Sequence, residues 1–151
     1  GDSAGVYLYH MLGRFGLATS TYGGHAGDGV VLNDVRITNA VRCVPPQNKP
    51  TSAEATSCRP FLAREIAAMT NLQTILALGK LAHDAVLRCF DCRLAAYPFA
   101  HQSNYLIAYN YQLISSYHCS RYNTQTGRLT DAMFASVFTD ITRTMAMPQE
   151  N

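Results

Sequence analysis

Residues 74–79, TILALG, run straight into KLAHDAVLRCF, and this junction constrains the fold more than any other stretch. A short apolar run that ends in glycine suits a strand buried in a parallel sheet. The residues behind it read as a helix. Comparable signals recur along the chain. Residues 35–41, VRITNAV, alternate apolar and polar side chains and predict a strand. They lead into RCVPPQNKP, whose three prolines forbid both helix and central strand. Thr51, with Glu54 three residues on, predicts a capping box that opens a helix to about Ala68. Residues 104–118, NYLIAYNYQLISSYH, read as two strands around a short turn at Asn110. Thr130 caps a last helix with Phe134, Val137, Phe138 and Ile141 on one face. Near the start, residues 3–18 space Val6, Tyr9, Leu12 and Phe15 helically, with Ser3 as the candidate cap. Residues 21–29, TYGGHAGDG, form a glycine-rich loop that no strand precedes, so it is not a phosphate cradle. Strand and helix in alternation argue for an α/β sandwich with a mostly parallel sheet.

At 151 residues and 16.6 kDa the chain suffices for one domain with its own core. A formal charge of +2 and a pI near 8.3 permit nucleic-acid binding through local patches without demanding it. No apolar stretch reaches the length of about 18 residues that a membrane span needs, and no membrane partner is expected. The first residues lack the order of a secretory signal. The chain begins with Gly rather than Met, so a processed or truncated chain is expected. Five cysteines, an odd number, form no short secreted framework. A reduced, cytoplasmic setting with free thiols or metal ligands is therefore expected.

In parallel sheets, ligands bind where loops leave the carboxyl ends of strands. RCVPPQNKP and SYHCSRYNTQTGR are two polar loops of that kind. His118 stands at the junction of strand and second loop, beside Ser120, Arg121 and Asn123. It either bonds a neighbouring carbonyl or acts on a ligand. In the first loop lie Asn48 and Lys49; an asparagine there reads a base, holds water or simply forms a turn. Asp2 is favourable with a helix dipole. Cys43 and Cys58 are at most half of a metal site, and otherwise small buried hydrophobes. Cys89 and Cys92 have the C-x-x-C form, but no second such pair occurs and they read as structural. Cys119 reads as a buried or loop thiol with no assigned role.

RITNAVRCVPPQNKPTSAEATSCRPFLAREI, TILALGKLAHDAVL, AAYPFAH and SSYHCSRYNTQTGRLT together resemble the uracil-DNA glycosylase superfamily. Within it they are most similar to the type 5, iron–sulfur-containing branch. The type 4 branch shares the cysteine layout, but its histidine loop is shorter and lacks NTQTGRLT. The match runs in order from residue 1 to about 145 and is weakest over 19–33.

The resemblance implies a three-layer α/β/α sandwich around a central, mostly parallel sheet, here without its first strand. It implies DNA base-excision repair: uracil or a related deaminated base is flipped out and its N-glycosidic bond hydrolysed. GDSAG looks like the family's GDxxG stretch, whose aspartate, Asp2 here, positions water or offsets positive charge on the sugar. Asn48 matches the loop asparagine of the catalytic centre. His118 matches the histidine that bonds the flipped base. Cys43 and Cys58 match two of four ligands to a 4Fe–4S cluster. Arg42, Lys49, Ser120, Arg121 and Asn123 become candidates for DNA contact, with plain surface charge the alternative for each cation. Ser120 to Arg128 is expected to be a loop that lies against the DNA backbone and wedges near the opened base pair. These residue types suit the chemistry. A carboxylate offsets an oxocarbenium-like sugar, a donor in a dry pocket lowers the energy of a departing anion, and extrusion costs only a few kcal/mol of unstacking.

The family's part before GDxxG carries a C-x-x-C pair, the first strand and a GLAPG loop. No counterpart of it stands in this sequence, so residues 1–151 are expected to be the C-terminal two-thirds of a glycosylase domain. Such a piece is expected neither to hold an intact cluster nor to cleave uracil. The expected partner is uracil-containing DNA, met by a monomer. The alternative is a noncatalytic iron–sulfur relative that binds nucleic acid.

Overall fold

The structure is a computed structural model that describes residues 2–19, 23–25, 27–40 and 52–147. Along them run α1 (Ser3–Arg14), α2 (Ser52–Ala68), β1 (Thr74–Leu78), α3 (Lys80–Cys89), β2 (Asn104–Leu106), β3 (Gln112–Ser116), α4 (Arg121–Gln125) and α5 (Asp131–Ala146). They fall into two units, one of Thr38–Ser116 and the other of Gly1–Ile37 with Tyr117–Asn151.

In the Thr38–Ser116 unit, the sheet has the order β1-β3-β2. Thr74 to Leu78 pair in parallel with Gln112 to Ser116, and β2 adds to β3 antiparallel. The α/β class expected from the sequence is therefore present, with a small mixed sheet. Gly79 ends the TILALG run at φ +92, a region that favours glycine. This conformation lets its N–H donate to the Ser116 carbonyl at 2.8 Å while α3 starts at the next residue. β1 is half-buried rather than buried, with only Ala77 fully enclosed, because among the described residues it is an edge strand paired on one side.

β2 and β3 form the expected hairpin. Tyr109 and Asn110 both take positive φ, 60° and 62°, as a tight hairpin turn with right-handed strand twist requires. Ala77, Val86, Leu87, Ile107 and Leu113 form this unit's core, with Phe90, Tyr97, Tyr105 and Tyr111 packed on it. His83 is fully buried, with Nδ1 2.7 Å from Ser115 Oγ and Nε2 2.7 Å from the Tyr97 carbonyl. A carbonyl only accepts, so Nε2–H donates to Tyr97.

The other unit is built on α1 and α5. Their contact is aromatic: Tyr7 lies 5.1 Å from Phe134, Phe15 stacks 5.7 Å from Phe138, and Phe134 meets Phe138 edge-on at 5.1 Å. Phe134, Val137, Phe138 and Ile141 are buried, as their spacing predicts. Thr130 caps α5 by accepting from Met133 N at 3.2 Å. At the N-terminus of α5, Asp131 accepts from Arg14 at 2.9 Å and from the Tyr7 hydroxyl at 3.1 Å.

Helix α1 departs from expectation in three ways. Its cap is Asp2, not Ser3: the Asp2 carboxylate accepts from Gly5 N at 2.7 Å. Its buried residues are Met11 and Leu12, while Val6 is 49% exposed. It stops at Arg14 because Gly16 takes φ +77. Gly16 N then donates to Gly13 O and Leu17 N to Leu12 O, which satisfies carbonyls the helix end leaves open.

Two further expectations need correction. The strand expected at 35–41 is irregular backbone over 35–40, and Ile37 is 40% exposed. Alternation supplies an apolar edge, but a strand is held by ladder bonds, and among the described residues no strand pairs with this segment. The loop expected over 120–128 contains the helical turn α4, because Ser120 caps it by accepting from Asn123 N at 3.2 Å. Gly127, at φ +76, ends it. The expected capping box at Thr51 and the RCVPPQNKP loop lie outside the described residues.

Candidate active site

β3 ends at Ser116, and His118 follows after one residue. The backbone around His118 is tied down on both sides. Its own carbonyl accepts from the Asn123 side-chain amide at 2.9 Å. The next residue, Cys119, is 2% exposed and its thiol points at the Ala4 carbonyl, 3.5 Å away in the first turn of α1. This contact brings the histidine segment against the helix that Asp2 caps.

The electrostatics follow from that placement. His118 is exposed to solvent, yet partial removal of water from its ring pushes its pKa below the ordinary 6.5. The Asp2 carboxylate pulls the other way. Burial dominates, so the imidazole is neutral at neutral pH and donates one N–H without bringing charge. Burial also pushes the Cys119 thiol up to about 11, with Asp2 adding to the rise, so it remains a thiol. Tyr7 is raised to about 12 by burial and by its bond to Asp131. Asp2→Asn keeps an N-cap acceptor and removes the charge. The expected result is a further fall in the His118 pKa, read by NMR titration of the ring; a rise would refute the coupling.

Beside these groups opens a cleft of about 460 Å³, with Ser3, Tyr7, Cys119, Arg121, Gln125 and Thr130 among its walls. Of the candidate DNA contacts, Arg121 is exposed on this cleft. The Ser120 hydroxyl accepts in the α4 cap, and the Asn123 amide is half-buried and holds His118. Tyr122, 74% exposed between Arg121 and Asn123, was not singled out by sequence reasoning. Arg128 lies 4.6 Å over the Tyr117 ring. Arg42, Cys43, Asn48 and Lys49 lie outside the described residues. The structure thus brings Asp2, His118 and Cys119 together. The cue for Asn123 was present as a Ser-x-x-Asn spacing, legible as a cap but not as a bond to His118.

Cys58 is a free, half-buried thiol on α2. Cys92 contacts the Phe90 carbonyl at 3.8 Å, and burial raises the Cys89 pKa, with Arg59 opposing. Among the described residues no three His, Cys, Asp or Glu side chains gather around a possible metal position. A 4Fe–4S cluster takes four thiolates, and the described donors do not make up that set. Among the described residues, no helix is long and apolar enough to cross a membrane.

Known proteins are similar to this chain in sequence. The family model described as the uracil DNA glycosylase superfamily matches residues 1–142. A type-5 uracil-DNA glycosylase of Thermus thermophilus is 40% identical over 143 residues, 95% of this chain and 65% of the relative. The type-5 uracil-DNA glycosylase of Mycobacterium leprae is 39% identical over 142 residues, 93% of this chain and 62% of the relative. That of Mycobacterium bovis is 38% identical over 140 residues, 91% and 52% respectively. The chain therefore spans between about half and two thirds of the length of these relatives. With nearly its whole length matched by the family model, the chain belongs to the uracil-DNA glycosylase superfamily, and its likeness runs to the type-5 members.

Proposed function

We propose that this chain provides the catalytic centre of a DNA repair glycosylase that hydrolyses the N-glycosidic bond of uracil and related deaminated bases. The observation that carries the reading is that the Cys119–Ala4 contact sets the His118 segment against the helix that Asp2 caps, in a chain of this superfamily. When the bond from base to sugar breaks, the base leaves with its electron pair, water supplies hydroxyl to the sugar carbon, and the water's remaining proton ends on the departed base. The His118 N–H donates to the base oxygen where that negative charge gathers; one such donor is worth roughly 10²–10³ in rate. The Asp2 carboxylate offsets positive charge on the sugar and orients the water. Asn48, the loop asparagine that the family resemblance assigns to the catalytic centre, would join Asp2 in holding the water. A neutral imidazole suits this role, because its N–H is spent on the anion and not on a fixed ion pair. The test is uracil release by the native full chain from a uracil-containing duplex, with a thymine-containing duplex as control. Binding to DNA without release would favour a noncatalytic relative.

Arg121, with Arg42 and Lys49, would meet DNA phosphates, assisted by Ser120, while exposed Tyr122 is placed to stack against the opened base pair. Arg121→Ala is expected to weaken binding alike on all sequences and to lower the salt slope by about one. An unchanged slope would remove Arg121 from the interface.

Cys43 and Cys58 would supply two of four thiolates to a 4Fe–4S cluster, which here would buttress the fold and take no part in hydrolysis. Cys58→Ser is expected to lower the iron content and visible absorbance of the purified full chain, whereas Cys92→Ser leaves both alone. Full iron in the Cys58 variant would sink the assignment.

A further inference from the structure

We infer that Asn123 is a positioning residue for His118, and that its amide sets the histidine backbone instead of reading DNA. The inference deepens the glycosylase reading and rests on it for its kinetic consequence.

Asn123 is bonded at three points. Its side-chain amide donates to the His118 carbonyl at 2.9 Å. Its backbone N–H donates to Ser120 Oγ at 3.2 Å. Its carbonyl accepts from Leu129 N at 3.0 Å, and Leu129 is 1% exposed. One residue thereby joins the start of the segment, its helical turn and its buried far end. The bond to His118 is made to that residue's own carbonyl, so losing it frees the backbone rotation that aims the ring. Cys119 supplies the second anchor: its buried thiol holds the following peptide to the Ala4 carbonyl. With one neighbour fixed and the carbonyl fixed, the imidazole has little freedom to swing. An aspartate at 123 has nearly the same shape but only acceptors, so it would repel the carbonyl that asparagine holds.

The experiment compares Asn123→Asp and Asn123→Ser with the parent full chain, using Arg121→Ala as the reference for a DNA contact. Read-outs are kcat and KM for uracil release, the salt slope of DNA binding, and the His118 pKa by NMR. The expected result for Asn123→Asp is a loss of roughly 10- to 100-fold in kcat, as for a misplaced catalytic group. KM and the salt slope stay as in the parent, and the shape of the His118 titration changes. Asn123→Ser, which retains a donor, falls less. A raised KM with a smaller salt slope and unchanged kcat would make Asn123 a DNA contact and overturn the inference. So would an unmoved His118 titration in both variants. If the parent releases no uracil, the glycosylase reading fails, while the titration still decides whether Asn123 sets His118.

Discussion

Replacing Phe134 by alanine is expected to cost about 3–5 kcal/mol of stability, the range for deleting a fully buried aromatic side chain. Phe134 is 0% exposed and touches both Tyr7 of α1 and Phe138 of its own helix. Removing the ring forfeits its burial and leaves a cavity between two helices whose aromatic contact is otherwise made by Phe15 and Phe138. The consequence reaches the site, since α1 carries both Asp2 and the Ala4 carbonyl that holds Cys119. The check is the midpoint of urea unfolding, with Val31→Ala, 57% exposed, as control. The control should stay within about 0.5 kcal/mol. A Phe134 loss below about 1 kcal/mol would show that the α1–α5 contact does not hold this unit together.

Replacing His118 by alanine is expected to slow uracil release by about 10²–10³, the effect of deleting one donor that acts on developing negative charge. The loss should fall on kcat, because the donor acts most strongly as charge builds on the departing base. Binding of uracil-containing DNA should persist. A loss under tenfold would remove His118 from the catalytic centre. The same residue makes stability depend on pH. The unfolded chain binds its proton near the ordinary 6.5, whereas the folded chain does so only below it. Stability therefore falls as pH drops through that value and levels off below the lowered pKa. His118→Ala should remove that part of the slope.

Some helices of this protein were legible because a few neighbouring residues decide them. Thr130 with Met133 satisfies a backbone donor within a single turn, whereas the equally local Ser120 cap was missed. Gly79 permits a backbone angle that other residues resist. Spacing alone also placed Phe134, Val137, Phe138 and Ile141 on a buried face. In two places where the reading failed, the deciding partner was remote. Residues 35–40 alternate like a strand, but alternation cannot supply the neighbouring strand that would hold them. Val6 kept helical spacing with Leu12, yet the aromatic residues of α5 decided which side of α1 is covered.

The candidate site divides along the same line. By sequence alone, Asp2 was a favourable helix-start charge, His118 was a histidine at the end of a strand, and Cys119 was a thiol without a role. Residue type and resemblance to a family named the first two, because the chemistry of a carboxylate and an imidazole travels with the side chain. Only the tertiary structure decided that Cys119 holds the histidine segment to α1, that Asn123 is spent on the His118 carbonyl, and that partial desolvation lowers the His118 pKa. Those are distances and solvent access between segments far apart in the chain. Local preference sets how each segment folds, but the packing of α1, α5 and the buried Cys119 and Leu129 sets where the segments meet.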